Sequence, residues 1–327
     1  MTKNNKKNAI AQAISTAVAL GWVIMQVESA QAATLTVNNL DDSGFGSLRD
    51  AINTATSNDV VEFLLGSNPS TITLTSGALA MPAAGYAYAK NLTINGPGAN
   101  LLTISANNQF PVFNINAANV TFSGLAIAGN FNAYNSSNLT FTNSTVSGDN
   151  FKIDSNLRLI NSTISSNNIE INASDVVTLT EHSHLVSSNN TEINTSKLIV
   201  QDYSSIGTPN GIINSGTLNI STANLGLNNN VEINAGSNNL GLGGNITITT
   251  PNLILRRVPE PSAIAAGNIN SGAAGNITIS FGTLILKPGA IISKPVPEPS
   301  AIAGTIPAGS LAWLAKRKQA AFRKAKV

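Results

Sequence analysis

From Val120 onward, short strings of alternating apolar and polar residues return at a nearly fixed interval. One set, Val120-Thr121-Phe122, Leu139-Thr140-Phe141, Leu157-Arg158-Leu159, Val177-Thr178-Leu179, Leu198-Ile199-Val200 and Leu218-Asn219-Ile220, recurs every 18 to 21 residues. A second follows seven or eight residues later, at Val146, Ile164, Leu185, Ile206 and Leu225, each preceded by a small or polar residue. A third closes the interval: Phe151-Lys152-Ile153-Asp154, Ile169-Glu170-Ile171-Asn172, Thr191-Glu192-Ile193-Asn194, Ile212-Ile213-Asn214 and Val231-Glu232-Ile233-Asn234. Alternation at period two predicts strands that bury Leu, Ile and Phe and expose Thr, Lys and Glu. Repetition at such an interval is the signature of stacked turns. The expected fold is therefore all-β, a right-handed single-stranded parallel β-helix with three short strands per turn. Gly and Asn fall between the strings, where corners need φ > 0.

Upstream, Val60-Val61-Glu62-Phe63, Ile72-Thr73-Leu74 and Leu92-Thr93-Ile94 supply the first turns. Before them, Thr36-Val37 and the run Asp41-Asp42-Ser43-Gly44-Phe45-Gly46-Ser47-Leu48-Arg49-Asp50-Ala51-Ile52 predict a strand, a Gly turn and a short helix. Ser47 and Asp50 have capping-box spacing, and Leu48, Ala51, Ile52 and Ala55 share a face. This opening resembles that of many bacterial surface β-helix proteins, in which such a helix caps the end of the coil. Downstream, Gly-Asn-Ile-Thr-Ile recurs after 31 residues, at Ile246 and Ile277, each followed by Leu253-Ile254-Leu255 or Leu284-Ile285-Leu286. Those two units resemble the repeats of filamentous haemagglutinin-type adhesins.

The two ends are written differently. Lys3, Lys6 and Lys7 precede an apolar stretch from Ala9 to Val27, which closes on Ser29-Ala30-Gln31-Ala32. A basic, apolar, small-x-small order is what signal peptidase requires, so residues 1–32 are expected to be a signal peptide and the mature chain to begin at Ala33. At the C-terminus Val296-Pro297-Glu298-Pro299-Ser300 leads into the apolar segment Ala301 to Ala315 and then Lys316, Arg317 and Lys318. The order resembles the PEP-CTERM sorting signal, which implies processing by an exosortase-type enzyme at the motif. A basic cluster after an apolar segment acts as a stop on the cytoplasmic side. About fifteen helical residues reach only about 22 Å, short of a bilayer core of roughly 30 Å, so the expected transmembrane anchoring at the inner membrane is transient. Val258 to Ala265 repeats Val296 to Ala303 residue for residue. The polar residues after that copy cannot cross a bilayer, so it is read as a loop.

Composition narrows the chemistry. Charged residues make up 10% of the chain, the net charge is +2 and cysteine is absent, which removes disulfides and thiolate chemistry and gives no basic face for nucleic acid. No phosphate loop, zinc spacing or nucleophile elbow is present. Parallel β-helices include pectate lyases, so a row of chemical groups along one strand face is where catalysis would sit. Stacking the repeats sets Glu181 over Asp202, with Asn143, Asn161 and Thr222 in the same column; such a carboxylate pair is the chemistry of calcium binding or acid–base catalysis. Alternation sets His182 and His184 on one side of a strand. Glu170 and Glu192 stack with Lys152 before them, and Asn172, Asn194, Asn214 and Asn234 form a column suited to an amide ladder.

The resulting division is a signal peptide at 1–32, an N-terminal cap and first turns at 33–90, coil at 91–295 and a sorting tail at 296–327. The expected protein is exported, located at the cell surface or in the extracellular matrix, structural or adhesin-like, needing no cofactor or metal. Its expected partners are signal peptidase, an exosortase-type enzyme and an extracellular polysaccharide. The competing expectation is a polysaccharide lyase, hydrolase or binding protein that uses Glu181, Asp202 and His182.

Overall fold

The computed structural model describes residues 32–81, 91–116, 119–134, 138–207, 217–228, 232–234, 245–256, 263–265, 277–286 and 291–292. The chain divides into two compact units, Met1–Thr145 and Val146–Val327. In both, the strands pair in parallel and the sheet curls, so the fold is all-β, as the alternation predicts.

The first unit opens with β1 (Thr34–Val37), α1 (Leu48–Thr54), β2 (Asp59–Phe63), β3 (Ser70–Thr73) and β4 (Leu79–Met81). It continues through β5 (Leu92–Asn95), β6 (Leu102–Ser105), β7 (Phe113–Ile115), β8 (Asn119–Ser123), β9 (Ala126–Ala128), β10 (Phe131–Ala133) and β11 (Asn138–Thr142). β1 bonds to β2, and from β2 on the strands bond three places along: β2 to β5 to β8 to β11, β3 to β6 to β9, and β4 to β7 to β10. Register keeps apolar residues in file, with Val61 beside Ile94, Ile94 beside Phe122 and Phe122 beside Phe141. All four are fully buried. The rings of Phe122 and Phe141 stack at 5.2 Å, and Phe113 meets Phe122 edge-on at 4.8 Å. A fully buried side chain of this size contributes about 1.5–3 kcal/mol.

Helix α1 starts where its sequence says it must. Ser47 accepts the Asp50 backbone N–H at 3.2 Å, and the Asp50 carboxylate accepts from the Gly46 N–H at 3.2 Å. Leu48, Ala51 and Ile52 are buried, and Ala55 just beyond them is too. The loop before the helix is clasped by Arg49, which donates to the Asp42 carboxylate at 2.6 Å and to the carbonyls of Gly77 and Ala78 at 2.7 and 2.9 Å. Gly124, at φ +60°, packs so closely on the turn before it that a Cβ at Gly96 would collide with its carbonyl and with Leu125.

The second unit holds β12 (Thr145–Ile153), β13 (Asn156–Ile160), β14 (Thr163–Thr180), β15 (His184–Gln201), β16 (Ser205–Gly207) and β17 (Thr217–Asn228). Then come β18 (Glu232–Asn234), β19 (Ile246–Arg256), β20 (Ala263–Ala265), β21 (Ile277–Leu286) and β22 (Ile291–Ile292). Here the strands are long because the chain stays extended around its bends; β14 and β15 pair along their lengths with register shifts after Ser166 and Ala173.

The predicted pairing holds as far as Gly207, with Leu159 beside Leu179, Leu179 beside Val200, Leu185 beside Ile206 and Ile171 beside Ile193. Beyond it the expected columns shift. Leu218 and Ile220 pair with Thr191 and Ile193, not with Leu198 and Val200; Leu225 and Leu227 take the places beside Leu198 and Val200. Ile233 pairs with Ile206, so it belongs to the second column and not the third. The turn lengthens here, 27 residues separating Asn190 from its partner Thr217. The expected strand Ile212-Ile213-Asn214 lies outside the described residues. Further on, the 31-residue repeat is in register, Ile246 beside Ile277 and Leu253 beside Leu284.

Candidate functional site

The residues singled out for chemistry meet at the bend between β14 and β15 and the equivalent bend between β15 and β16. Glu181 and His182 sit one turn from Asp202 and Tyr203, the His182 N–H donating to the Asp202 carbonyl at 2.9 Å. The stacking of Glu181 on Asp202 is thus as expected. Thr222 is not in that column, since it pairs with Thr195. His182 and His184 are not on one strand either. His182 lies in the bend and only His184 begins β15, because Glu181 and His182 both adopt left-handed backbone, at φ 55° and 61°.

Asp202 and Tyr203 do the same, at φ 54° and 62°, whereas Asn143 and Asn161 are single left-handed residues at φ 49° and 46°. The bend has therefore grown from one residue to two. Left-handed conformation costs a non-glycine residue roughly 1–2 kcal/mol, least for Asn. A Glu and a Tyr in it are strained. What the bend gains is an exposed aromatic pair: the His182 and Tyr203 rings stack at 5.1 Å and 7°, with Tyr203 39% exposed.

The polar groups of the bend are engaged locally. The Thr180 hydroxyl donates to Asp202 Oδ2 at 3.0 Å and receives Gln201 Nε2 at 3.3 Å. His184 Nδ1 lies 2.8 Å from Ser205 Oγ. Burial, and secondly the nearby His182, lower the His184 pKa, which favours the neutral imidazole. Among the described residues no group of three or more His, Asp or Glu could hold a metal ion.

Repetition also hid a feature that strand patterns do not report. Ser183 and Ser204 are buried directly before the second-column strands; Ser183 N–H donates to Ser204 Oγ at 3.0 Å, and Ser162 N–H to Ser183 Oγ at 3.3 Å. Ser144, Ser162, Ser183 and Ser204 each stand two residues before Val146, Ile164, Leu185 and Ile206. That recurrence was the available signal.

Outward, amides stack in files. In the first unit Asn138 donates to Asn119 at 2.6 Å, Asn119 to Asn91 at 2.7 Å and Asn91 to Asn58 at 2.9 Å. In the second, Asn194 donates to Asn172 at 2.9 Å and Asn172 to Asp154 at 3.1 Å. This file ends sooner than the sequence suggests: Asn194 pairs next with Ser221, Asn234 pairs with Gly207, and Asn214 lies outside the described residues. Glu170 and Glu192 stack in register, and Lys152 bridges Glu170 at 2.8 Å.

The expected signal segment through Gln31, the Val258 to Ser262 part of the internal copy and the expected sorting tail, including Val296, Pro297, Glu298, Pro299, Ser300, Lys316, Arg317 and Lys318, lie outside the described residues, whereas Ala263 to Ala265 of the internal copy, expected in a loop, form β20 beside β18. Among the described residues no helix is long and apolar enough to cross a membrane. Compared with protein-family models, curated proteins and solved structures, the chain matches none.

Proposed function

We propose that this protein is an exported, non-catalytic β-helix of the bacterial cell surface or extracellular matrix, with α1 as its N-terminal cap and a C-terminal sorting tail that anchors it transiently before processing. The carrying observation is where the polar residues go. Amide files, the Lys152–Glu170 bridge and the Thr180–Asp202 bond tie each turn to the next. Such a surface resists unfolding with neither disulfide nor core metal and offers long rows of amides and hydroxyls for shallow contact with a polysaccharide. Signal peptidase at one end and an exosortase-type enzyme at the other are the processing partners this reading requires.

One observation favours a second reading, a polysaccharide-binding or polysaccharide-cleaving protein. Exposed stacked rings beside Glu181 and Asp202 form an apolar platform edged with acceptors, the pairing that sugar rings and their hydroxyls fit. Fractionation of a producing bacterium separates surface from cytoplasm, and incubation of the purified chain with acidic and neutral polysaccharides measures cleavage. The structural reading expects surface material and intact polymer. Reproducible cleavage lost in Asp202→Ala would replace it with the second reading.

A further inference from the structure

We infer that hydrolysis after Ala32 creates a ligand for the folded protein, the new α-ammonium of Ala33, and that the buried carboxylate of Asp59 is its receptor. The inference rests on the export reading above, which already sets the cut before Ala33, and goes beyond it by assigning a binding role to Ala33 and Asp59 in the folded chain. Two independent observations meet on one atom. Ala30 and Ala32 form the small-x-small pattern that puts the cut before Ala33. In the fold, the backbone nitrogen of that same residue lies 2.8 Å from Asp59 Oδ1.

Asp59 is only 3% exposed. Its other oxygen accepts from the Thr56 N–H at 2.7 Å and the Thr56 hydroxyl at 3.0 Å, which fixes the plane of the carboxylate. Ala33 is held from the other side, its carbonyl accepting the Val60 N–H at 2.9 Å. The nitrogen therefore cannot drift from the carboxylate without breaking the start of the β1–β2 pairing.

In the uncut chain this nitrogen is an amide with one hydrogen and no net charge. Hydrolysis adds water across the Ala32–Ala33 bond: hydroxide goes to the Ala32 carbonyl carbon, the C–N bond breaks, and the released nitrogen takes the proton. An α-amino group has a pKa of about 8, so at neutral pH it takes up a second proton and becomes an ammonium. A neutral donor at 2.8 Å is thereby replaced by a cation facing a nearly buried anion, and such charge-assisted bonds are roughly twice as strong as neutral ones. Removal of the leader would thus lock the first strand of the exported chain in place, and the unprocessed chain would lack that lock.

Two measurements test this. Mass spectrometry of protein exported from cells carrying the full gene should find Ala33 as the first residue. Purified full-length mature chain beginning at Ala33 should then be compared with the same chain carrying one extra Gly before Ala33, each with Asp59 and with Asp59→Asn. The extra residue should lower the melting temperature by several degrees with Asp59 present and leave it unchanged with Asp59→Asn. The α-amine of the unextended chain should react with an acylating reagent at neutral pH about tenfold more slowly than the extended chain's, the effect of one unit of pKa. That comparison needs no substitution at Asp59, so it stands even where Asp59→Asn does not fold. Equal melting and equal reactivity overturn the inference. An exported chain starting elsewhere also overturns it and leaves the export reading intact, whereas chain retained in the cytoplasm with Met1 overturns the export reading itself.

Discussion

The backbone N–H of Ser183 points at the hydroxyl oxygen of Ser204 on the next turn, 3.0 Å away, in a part of the protein closed to water. Ser183 repeats the arrangement toward Ser162, while its own hydroxyl donates to the Thr180 carbonyl. One side chain thus bonds two backbone groups at the bend, the Ser162 N–H and the Thr180 carbonyl. Ser183→Ala removes the hydroxyl that accepts the Ser162 N–H and one of the two donors to the Thr180 carbonyl, which keeps the Asn161 N–H, and denaturant unfolding should show a loss of about 1–3 kcal/mol. Ser165→Ala, at an exposed position of β14, should change stability by less than about 0.5 kcal/mol.

Ile171 and Glu170 are neighbours on β14 that face opposite ways: Ile171 is fully buried, and Glu170 reaches Lys152 at the surface. Ile171→Asp places a charge in the apolar file and should abolish cooperative melting of the adjacent turns. Glu170→Gln removes a half-exposed ion pair and should cost no more than about 1 kcal/mol. Circular dichroism melts of the two variants distinguish the outcomes.

Asp42 contributes an acid response in the first unit. Burial by itself would raise its pKa, but the hydrogen bonds from Arg49, Ser76 and Thr75 outweigh it and hold the carboxyl well below the usual carboxylate range. A depressed folded pKa contributes stability above the unfolded value of about 3.9, and that contribution is lost as pH falls through the folded one. The stability difference between the parent chain and Asp42→Asn should therefore stay constant above about pH 5 and shrink steadily below about pH 4. An acid titration followed by fluorescence or circular dichroism reads this directly.

His184 responds at higher pH. Burial, with His182 adding to it, lowers its pKa, so the unfolded chain binds the proton more readily than the folded one. Its contribution is fully present above the unfolded value of about 6.5 and is lost as pH falls through the folded value. Stability should decline between pH 7 and pH 5, and His184→Gln should flatten that slope.

The strained bend has its own test. Asn occupies the corresponding left-handed positions at Asn143 and Asn161, so Glu181→Asn should leave the fold intact and raise its stability by up to about 1 kcal/mol. Loss of polysaccharide binding in a variant that is more stable would mark the bend as strained for function.

The inward file was legible because alternation at period two states which side chains are buried. It does not state which column a strand joins. Leu218-Asn219-Ile220 follows Leu198 by a typical interval and looks like the next first strand, yet it pairs with Thr191 to Ile193. The distinguishing chemistry was in the bends. Thr195 and Thr222 are buried and each donates to the carbonyl two residues on, at 3.2 and 3.1 Å, and Thr250 does the same at 2.9 Å. Thr stands in the passage from third column to first at Thr195, Thr222 and Thr250, whereas the earlier turns carry Ser155 and Ala173 there. The candidate bend was half legible: Glu181 over Asp202 followed from spacing, but the left-handed backbone that pulls His182 off the strand and onto Tyr203 has no signature in residue type.

The amide files all run the same way, each Asn side chain donating to the preceding turn, and this gives them a chemical lifetime. Asparagine slowly hydrolyses to aspartate, which accepts hydrogen bonds and does not donate them. A carboxylate is harmless only where nothing has to be passed on, at the acceptor end, and Asp154 before Asn172 and Asp149 before Asn167 stand at such ends. The same change at Asn119 would set a negative oxygen against the Asn91 carbonyl oxygen it now bonds, and would interrupt the file midway. Ageing of the folded protein should thus be written unevenly along its surface, spared at the first position of each file and damaging at every later one.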